Sequence, residues 1–310
     1  MPRTARRVLR ARVLLPLLVG VAGAAVALSS GPGGPPAGSA ADRFVAGQLT
    51  TVREPVVGAP AKALDRRAGV NRAAIGSGTP ASVKMQHVRN RFSGLTYDEV
   101  VDTDGKGRAL ALQRFDASGR LLAAVRFGGH NPKKAVVADA AGARKAALGH
   151  ARALGLDPTG SPRVRRGATA EWIVEWPRLV DGIPVPGDGV VVRTWADGSI
   201  HTAVRTERTL AARPERPLSV AEARRLGHER LAGWLDARHA GEWQIDDVSL
   251  AWVAPNDTFE ATAPDAPASV LRLAWVVRVT TSGGLAEAVR GMELYLDAGD
   301  GRLLGGDVLR

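Results

Sequence analysis

Three Asp-Gly pairs interrupt the short β-branched and aromatic runs of residues 172–205, WIVEWPRLVDGIPVPGDGVVVRTWADGSIHTAVR. No other feature constrains the fold as much. Asp-Gly is favoured where both central residues of a turn take positive φ, so strands that stop at such pairs fold back into an antiparallel meander. Trp172, Val174 and Trp176 alternate with Ile173 and Glu175 before Pro177 and the Asp181-Gly182 turn. Ile183 to Val185 lead to a second turn at Asp188-Gly189, Val190 to Trp195 form the next run, and Ile200 to Val204 returns after Asp197-Gly198. Pro184 and Pro186 have no N–H to give to a ladder, which suits a sheet edge or a loop. The segment holds almost no catalytic hardware and points toward a binding module.

The same rules organise the rest of the chain. Residues 42–80 mix Ala, Gly, Pro and charge and read as a linker, with one short helix near Asp42 to Leu49. Ala81 to Phe92 reads as a helix, followed by strands at Leu95 to Val101, Leu110 to Phe115 and Leu121 to Phe127 around turns at Asp104-Gly105 and Asp116 to Gly119. Within the helical stretch Val137 to Leu156, Ala140, Ala143, Ala147, Ala151 and Leu154 recur at helical spacing, and Gly155 is a C-terminal stop. A second helix opens at an S-x-x-E capping box, Ser219 and Glu222, with Leu218 before it as a staple residue and Val220, Ala223, Gly227, Leu231 and Trp234 along one face. Helices laid over antiparallel meanders give an α+β fold of two or three small units, each a β-meander covered by one helix. The expected units are 81–136, 137–212 and 213–310.

Residues 1–41 have the tripartite form of an export signal. Five arginines and no acid fill the first twelve positions, Val13 to Leu28 is apolar but for Pro16, and small residues reach Ala41. Cleavage after Ser29, Ala40 or Ala41 would release a secreted or cell-envelope product; the alternative is an uncleaved anchor, since Val13 to Ser30 approaches the roughly 20 residues that span a bilayer. The net charge of +11 includes the five signal arginines, so a product beginning at Asp42 carries +6. That balance favours acidic partners or anionic envelope polymers. It does not indicate nucleic acid, because no basic stripe is interleaved with aromatics and no nucleic-acid module is recognisable. With no cysteine in the chain, thiolate metal sites, cysteine nucleophiles and a lipoprotein-type anchor are excluded.

Candidate chemistry is sparse. His228-Glu229 starts an H-E-x-x-H pattern, but Ala232 stands where the second zinc ligand belongs. His87, His130, His150, His201 and His239 show no ligand spacing. Asp102-Thr103-Asp104-Gly105 begins like an EF-hand loop, yet Gln113 occupies the twelfth position; Asp297 to Gly301 suits a hairpin turn better than a calcium loop. Neither a nucleophile elbow nor a P-loop is present. Glu171, Glu175, Asp246 and Asp247 are best read as solvated strand-face acids, and Trp172, Trp176, Trp195 and Trp275 as core rather than as a carbohydrate or peptide groove. No catalytic residue, cofactor site or metal site is assigned.

Asp181-Gly182-Ile183-Pro184-Val185, Gly187-Asp188 and Asp197-Gly198, followed by the Leu218 to Trp234 helix, Leu273-Ala274-Trp275-Val276-Val277, and Leu294-Tyr295-Leu296-Asp297-Ala298 with Gly301, form an ordered array. Over residues 137–310 it resembles the FTP and PepSY propeptide region of thermolysin-like and fungalysin-like metallopeptidases. The resemblance implies cystatin-like, PepSY-like units and a non-enzymatic role. In that family these units precede a catalytic domain and act as inhibitor and folding aid, whereas this chain ends at Arg310, where a peptidase would begin. It therefore implies an exported protein that binds an extracytoplasmic metallopeptidase, inhibiting it or assisting its folding. The expected contact is an exposed strand edge at Asp181, Gly182, Ile183, Pro184, Val185, Gly187 and Asp188, or the tail Gly305 to Arg310 lying in a cleft as a substrate mimic. The alternative function is a membrane-tethered envelope module that binds a surface polymer or a membrane-protein partner.

Overall fold

The computed structural model describes residues 51–90, 95–131, 133–235, 239–256, 258–260 and 270–309. The signal or anchor expected at residues 1–41 and the short helix expected at Asp42 to Leu49 lie outside them. The described chain is α+β, with large antiparallel sheets and few helices, and divides into two compact units at Arg208/Thr209. No described helix is long and apolar enough to cross a membrane.

The first unit is built on one nine-stranded antiparallel sheet. Its strands are β1 (Thr51–Pro55), β2 (Ser82–Asn90), β3 (Thr96–Thr103), β4 (Ala109–Phe115), β5 (Leu121–Arg126), β6 (Arg163–Arg166), β7 (Trp172–Val180), β8 (Ile183–Thr194) and β9 (Ile200–Thr206), in the order β1-β2-β3-β4-β5-β9-β8-β7-β6. The meanders expected as separate units, 81–136 and 137–212, are thus halves of a single sheet. They join where Ala123, Ala124 and Val125 of β5 face Val204, Ala203 and Thr202 of β9. Neither strand carries a proline, and no charge stands among these six residues to blunt its edge, so the two meanders pair.

Two helices, α1 (Gly58–Ile75) and α2 (Ala140–Ala153), contribute to one continuous core. Most of the expected linker is therefore structured. The buried face of α1 is Leu64, Ala68, Asn71 and Ile75, and its periodicity is masked by the amide at Asn71. Pro60 is tolerated because first-turn N–H groups have no helical partner. Asn71 Nδ2 donates to Gln113 Oε1 at 2.9 Å, and Gln113 Nε2 donates to the Ala68 carbonyl at 3.1 Å, so both buried amides are used. Arg72 grips buried Asp102 through Nε at 2.9 Å and Nη2 at 2.8 Å. The expected helix at Ala81 to Phe92 is instead strand β2, paired on both sides by β1 and β3. Val83 and Met85 pack toward the core at strand spacing, and tertiary pairing overrides a weak helical pattern. In α2, Ala143, Ala147 and Ala151 are fully buried, Asp139 caps the start, and Gly155 follows the helix with φ 64°.

The second unit contains β10 (Thr209–Leu210), α3 (Val220–Trp234), β11 (Trp243–Val253), β12 (Val270–Thr281), α4 (Gly283–Ala288), β13 (Gly291–Asp297) and β14 (Leu303–Leu309). Strands β11, β12, β13 and β14 are antiparallel neighbours, and β10 lies parallel to the start of β12. Helix α3 closes one face of the sheet. Its buried residues are Ala223, Gly227 and Leu231; Val220 and Trp234, expected on the same face, are exposed. A Cβ at Gly227 would lie 3.0 Å from Val277 Cγ1, so glycine sets the close approach of helix and sheet. The reciprocal capping box is present: Glu222 Oε2 accepts from the Ser219 N–H at 2.8 Å, and Ser219 Oγ accepts from the Glu222 N–H at 3.3 Å. Ser219→Ala is expected to destabilise the second unit by about 1 kcal/mol, read as a lowered urea midpoint followed by tryptophan fluorescence.

Candidate functional site

The expected contact segment forms the tip of the β7–β8 hairpin. Asp181 and Gly182 have φ of 51° and 78° and join Val180 to Ile183 in a two-residue turn. Pairing continues through Leu179 with Pro184 and Arg178 with Val185, and then shifts, so that Pro177 faces Gly189. Pro186, Gly187 and Asp188 are left as extra residues in a bulge. The Asp188-Gly189 pair, expected as a second hairpin turn, is thus an interruption within the continuous strand β8. Gly189 is required there: with φ 128°, a Cβ would sit 2.1 Å from the Trp176 carbonyl oxygen.

The bulge turns Asp188 inward, where its side chain is fully buried. Asp188 Oδ2 accepts from the Arg208 N–H at 2.7 Å and from Arg178 Nη1 at 3.2 Å, while Oδ1 accepts from Arg208 Nε at 2.5 Å. Arg208 Nη2 also donates to the Pro186 carbonyl at 2.6 Å, and Arg178 Nη1 to the Arg208 carbonyl at 2.8 Å. One carboxylate therefore ties the bulge, strand β7 and the chain leaving β9 into a single knot.

Beyond this knot the hairpin extends past its neighbours. Strand β6 pairs with β7 only over Trp172–Glu175, and β9 pairs with β8 only over Gly189–Thr194. Asp181, Gly182, Pro184 and Gly187 are exposed and Ile183 is half-buried, whereas Val185 and Asp188 are buried and position the tip. Leu179, absent from the expected contact set, is 59% exposed. In a two-residue hairpin the closing pair, Val180 and Ile183, bond to each other, so the next pair, Leu179 and Pro184, directs its backbone groups outward. Pro184 has no N–H, and strand-pairing capacity therefore lies on the Leu179 side. The tail expected as a substrate mimic is not a loose end: Leu303–Leu309 is strand β14, paired with β13.

Other sequence candidates resolve locally. His228 is exposed on α3, 5.0 Å from the Trp243 ring, and lines an open groove of about 680 Å³ with Arg224 and Arg225. Asp104 accepts from the N–H groups of Lys106 and Arg108 in a β-turn, and Asp297 accepts from the Gly299 N–H and from Arg272 Nε. No cluster of three or more metal-ligating side chains occurs among the described residues. Trp172 and Trp176 are core residues, and Trp275 Nε1 donates to the Leu218 carbonyl at 3.0 Å.

Trp195 is different. It is stacked between His130 and His201 at centroid distances of 4.3 and 4.6 Å. The register shift between Arg193 and Thr194 brings His201 into this stack, so sequence spacing gives no sign of it. Buried Glu171 accepts hydrogen bonds from the Thr169 N–H and hydroxyl and lies 3.6 Å from Arg193 Nη1. Burial pushes the Glu171 carboxyl up, but the Thr169 hydroxyl and Arg193 together hold it below its usual value. Burial pulls the His201 imidazole below its usual value against the opposing pull of Glu171, and its Nδ1 is buried with no hydrogen-bond partner.

No protein-family model matches the chain, and no curated protein matches it. In a comparison of structures it is similar to the Bacillus megaterium YpeB C-terminal domain, with a TM-score of 0.42 and 13% identity over 83% of this chain and 100% of that one.

Two outcomes follow from the geometry. Asp188→Ala removes the buried carboxylate shared by two partly exposed arginines and orphans their hydrogen bonds, and is expected to cost about 3 kcal/mol, measured by chemical denaturation. Because the folded-state pKa of His201 is depressed, the unfolded chain binds the proton more readily, and stability falls as pH drops below the unfolded value near 6.5. His201→Phe is expected to flatten that part of the profile, read from melting temperatures between about pH 5 and 8.

Proposed function

We propose that the chain is an exported, non-enzymatic, PepSY-like protein that binds an extracytoplasmic metallopeptidase and restrains it or assists its folding. The observation that carries this reading is the β7–β8 tip. It presents Leu179, Ile183 and Pro184 beyond the flanking strands, on a hairpin held rigid by the buried Asp188 knot. A rigid apolar projection loses little conformational freedom on docking, and an outward backbone pair at Leu179 lets a partner strand add to it. The ordered array over residues 137–310 supports the choice of a peptidase as partner. Export is proposed from the residue pattern of 1–41.

The test is inhibition and complex formation with a co-secreted H-E-x-x-H peptidase. The purified protein is expected to slow that peptidase and to co-elute with it. The pair Leu179→Asp and Ile183→Asp is expected to weaken the complex by about tenfold or more while leaving the melting temperature near that of the parent. Absence of both inhibition and co-elution would overturn the reading.

A further inference from the structure

Among the described residues the nine-stranded sheet ends at β6, Arg163–Arg166, which pairs with β7 alone. Its four residues are Arg163, Val164, Arg165 and Arg166. The Gly167 N–H bonds to the Glu171 carbonyl at the closed end of the β6–β7 hairpin. By the alternation of an antiparallel ladder, Arg163 and Arg165 then turn their backbone groups toward β7, while Val164 and Arg166 turn theirs outward. Side chains alternate in the other sense: Val164 packs on the core, and Arg163 and Arg165 stand together on the opposite face. Arg166 is already committed, its guanidinium 3.7 Å from the Trp172 ring and bonded to the Ala170 carbonyl.

The side chains of Arg163 and Arg165 are exposed and enter no hydrogen bond or ion pair among the described residues. Along the sequence the flanking charge has the same sign. Between residues 140 and 170 the cations are Arg144, Lys145, Arg152, Arg163, Arg165 and Arg166, and Asp157 is the one acid. Glu175 faces Arg163 across the ladder without forming an ion pair, and Glu171 is buried against Thr169 and Arg193.

Other strand edges of the described chain are less available. Asn256 covers β14, its N–H bonding the Leu304 carbonyl and its side-chain amide bonding both backbone groups of Gly306. Strand β11 is broken by a register shift at Asp246, and Arg224 bonds the Ile245 carbonyl. Strand β1 carries Arg53 and Glu54 side by side and ends in Pro55.

We infer that the β6 edge receives an extended acidic segment of a partner polypeptide, which adds as a tenth strand and sets carboxylates beside Arg163 and Arg165. Backbone pairing at Val164 and Arg166 supplies the geometry, and opposite charges on one face supply the selection. A second copy of this chain does not fit, because β6 against β6 sets arginines against arginines. This surface is separate from the β7–β8 tip.

The probe is a fluorescent eight-residue peptide alternating glutamate with valine, followed by anisotropy with the purified protein at low salt. It is expected to bind, to weaken as salt rises, and to slow hydrogen exchange at the Val164 and Arg166 amides. Arg163→Glu with Arg165→Glu is expected to lower affinity about tenfold or more, and alternate N-methylation of the peptide backbone is expected to abolish binding to the parent protein. Leu179→Asp with Ile183→Asp is expected to leave peptide binding unchanged, so failure here is distinguishable from failure of the proposed function. Equal binding of methylated and unmethylated peptides would reduce the site to general attraction for polyanions and overturn the inference. Lack of binding, or unaltered binding by the charge-reversed variant, would also overturn it.

Discussion

The pairing of β5 with β9 is the contact on which the first unit depends. Only three register pairs make it, Ala123 with Val204, Ala124 with Ala203, and Val125 with Thr202, yet they turn two meanders into one sheet with one core. The residues are small or β-branched, so the strands meet without bulky side chains forcing them apart. Each meander alone would leave an apolar edge in water, a standing invitation to mispairing. Joined, they leave only β1 and β6 as sheet ends among the described residues, and the chemistry of those ends decides what else the sheet meets.

The hairpin tip shows how a local backbone irregularity fixes a projecting surface. Three extra residues at Pro186, Gly187 and Asp188 turn a carboxylate inward, and two arginines from different parts of the chain close over it. Burying that charge is costly unless every oxygen is satisfied, and here both oxygens accept hydrogen bonds. The residues of this hairpin thus divide into two structural roles. Val185, Asp188 and Gly189 hold the tip, while Leu179, Ile183 and Pro184 form its outer surface.

Much of this was legible from residues alone, for identifiable reasons. The strands of the meanders carry clean period-two patterns, α2 repeats alanine at helical spacing, and α3 opens at a capping box, all local signals that the structure uses locally. Helix α1 was hidden because its buried stripe includes Asn71, whose partner Gln113 is 42 residues away. Strand β2 reads as a helix because its residues carry a weak period-two pattern, and one of its two neighbours, β1, reaches it only across the whole of helix α1. Asp188-Gly189 imitates a hairpin turn, and only the register against β7 reveals a bulge. The stack of His130, Trp195 and His201 depends on another register shift, and the Arg163 and Arg165 edge becomes meaningful only when β6 proves to be the last strand.

The Asn71–Gln113 pair, placed beneath α1, acts as a register lock for the helix on its sheet. Apolar packing alone tolerates sliding, since one ridge of alanine or leucine resembles the next. Moving α1 by one turn, about 5.4 Å, would strand both amides in an apolar interior at about 1–3 kcal/mol for each orphaned group. The amide pair therefore contributes less to how tightly the first unit holds together than to which of several near-equivalent dockings the helix adopts.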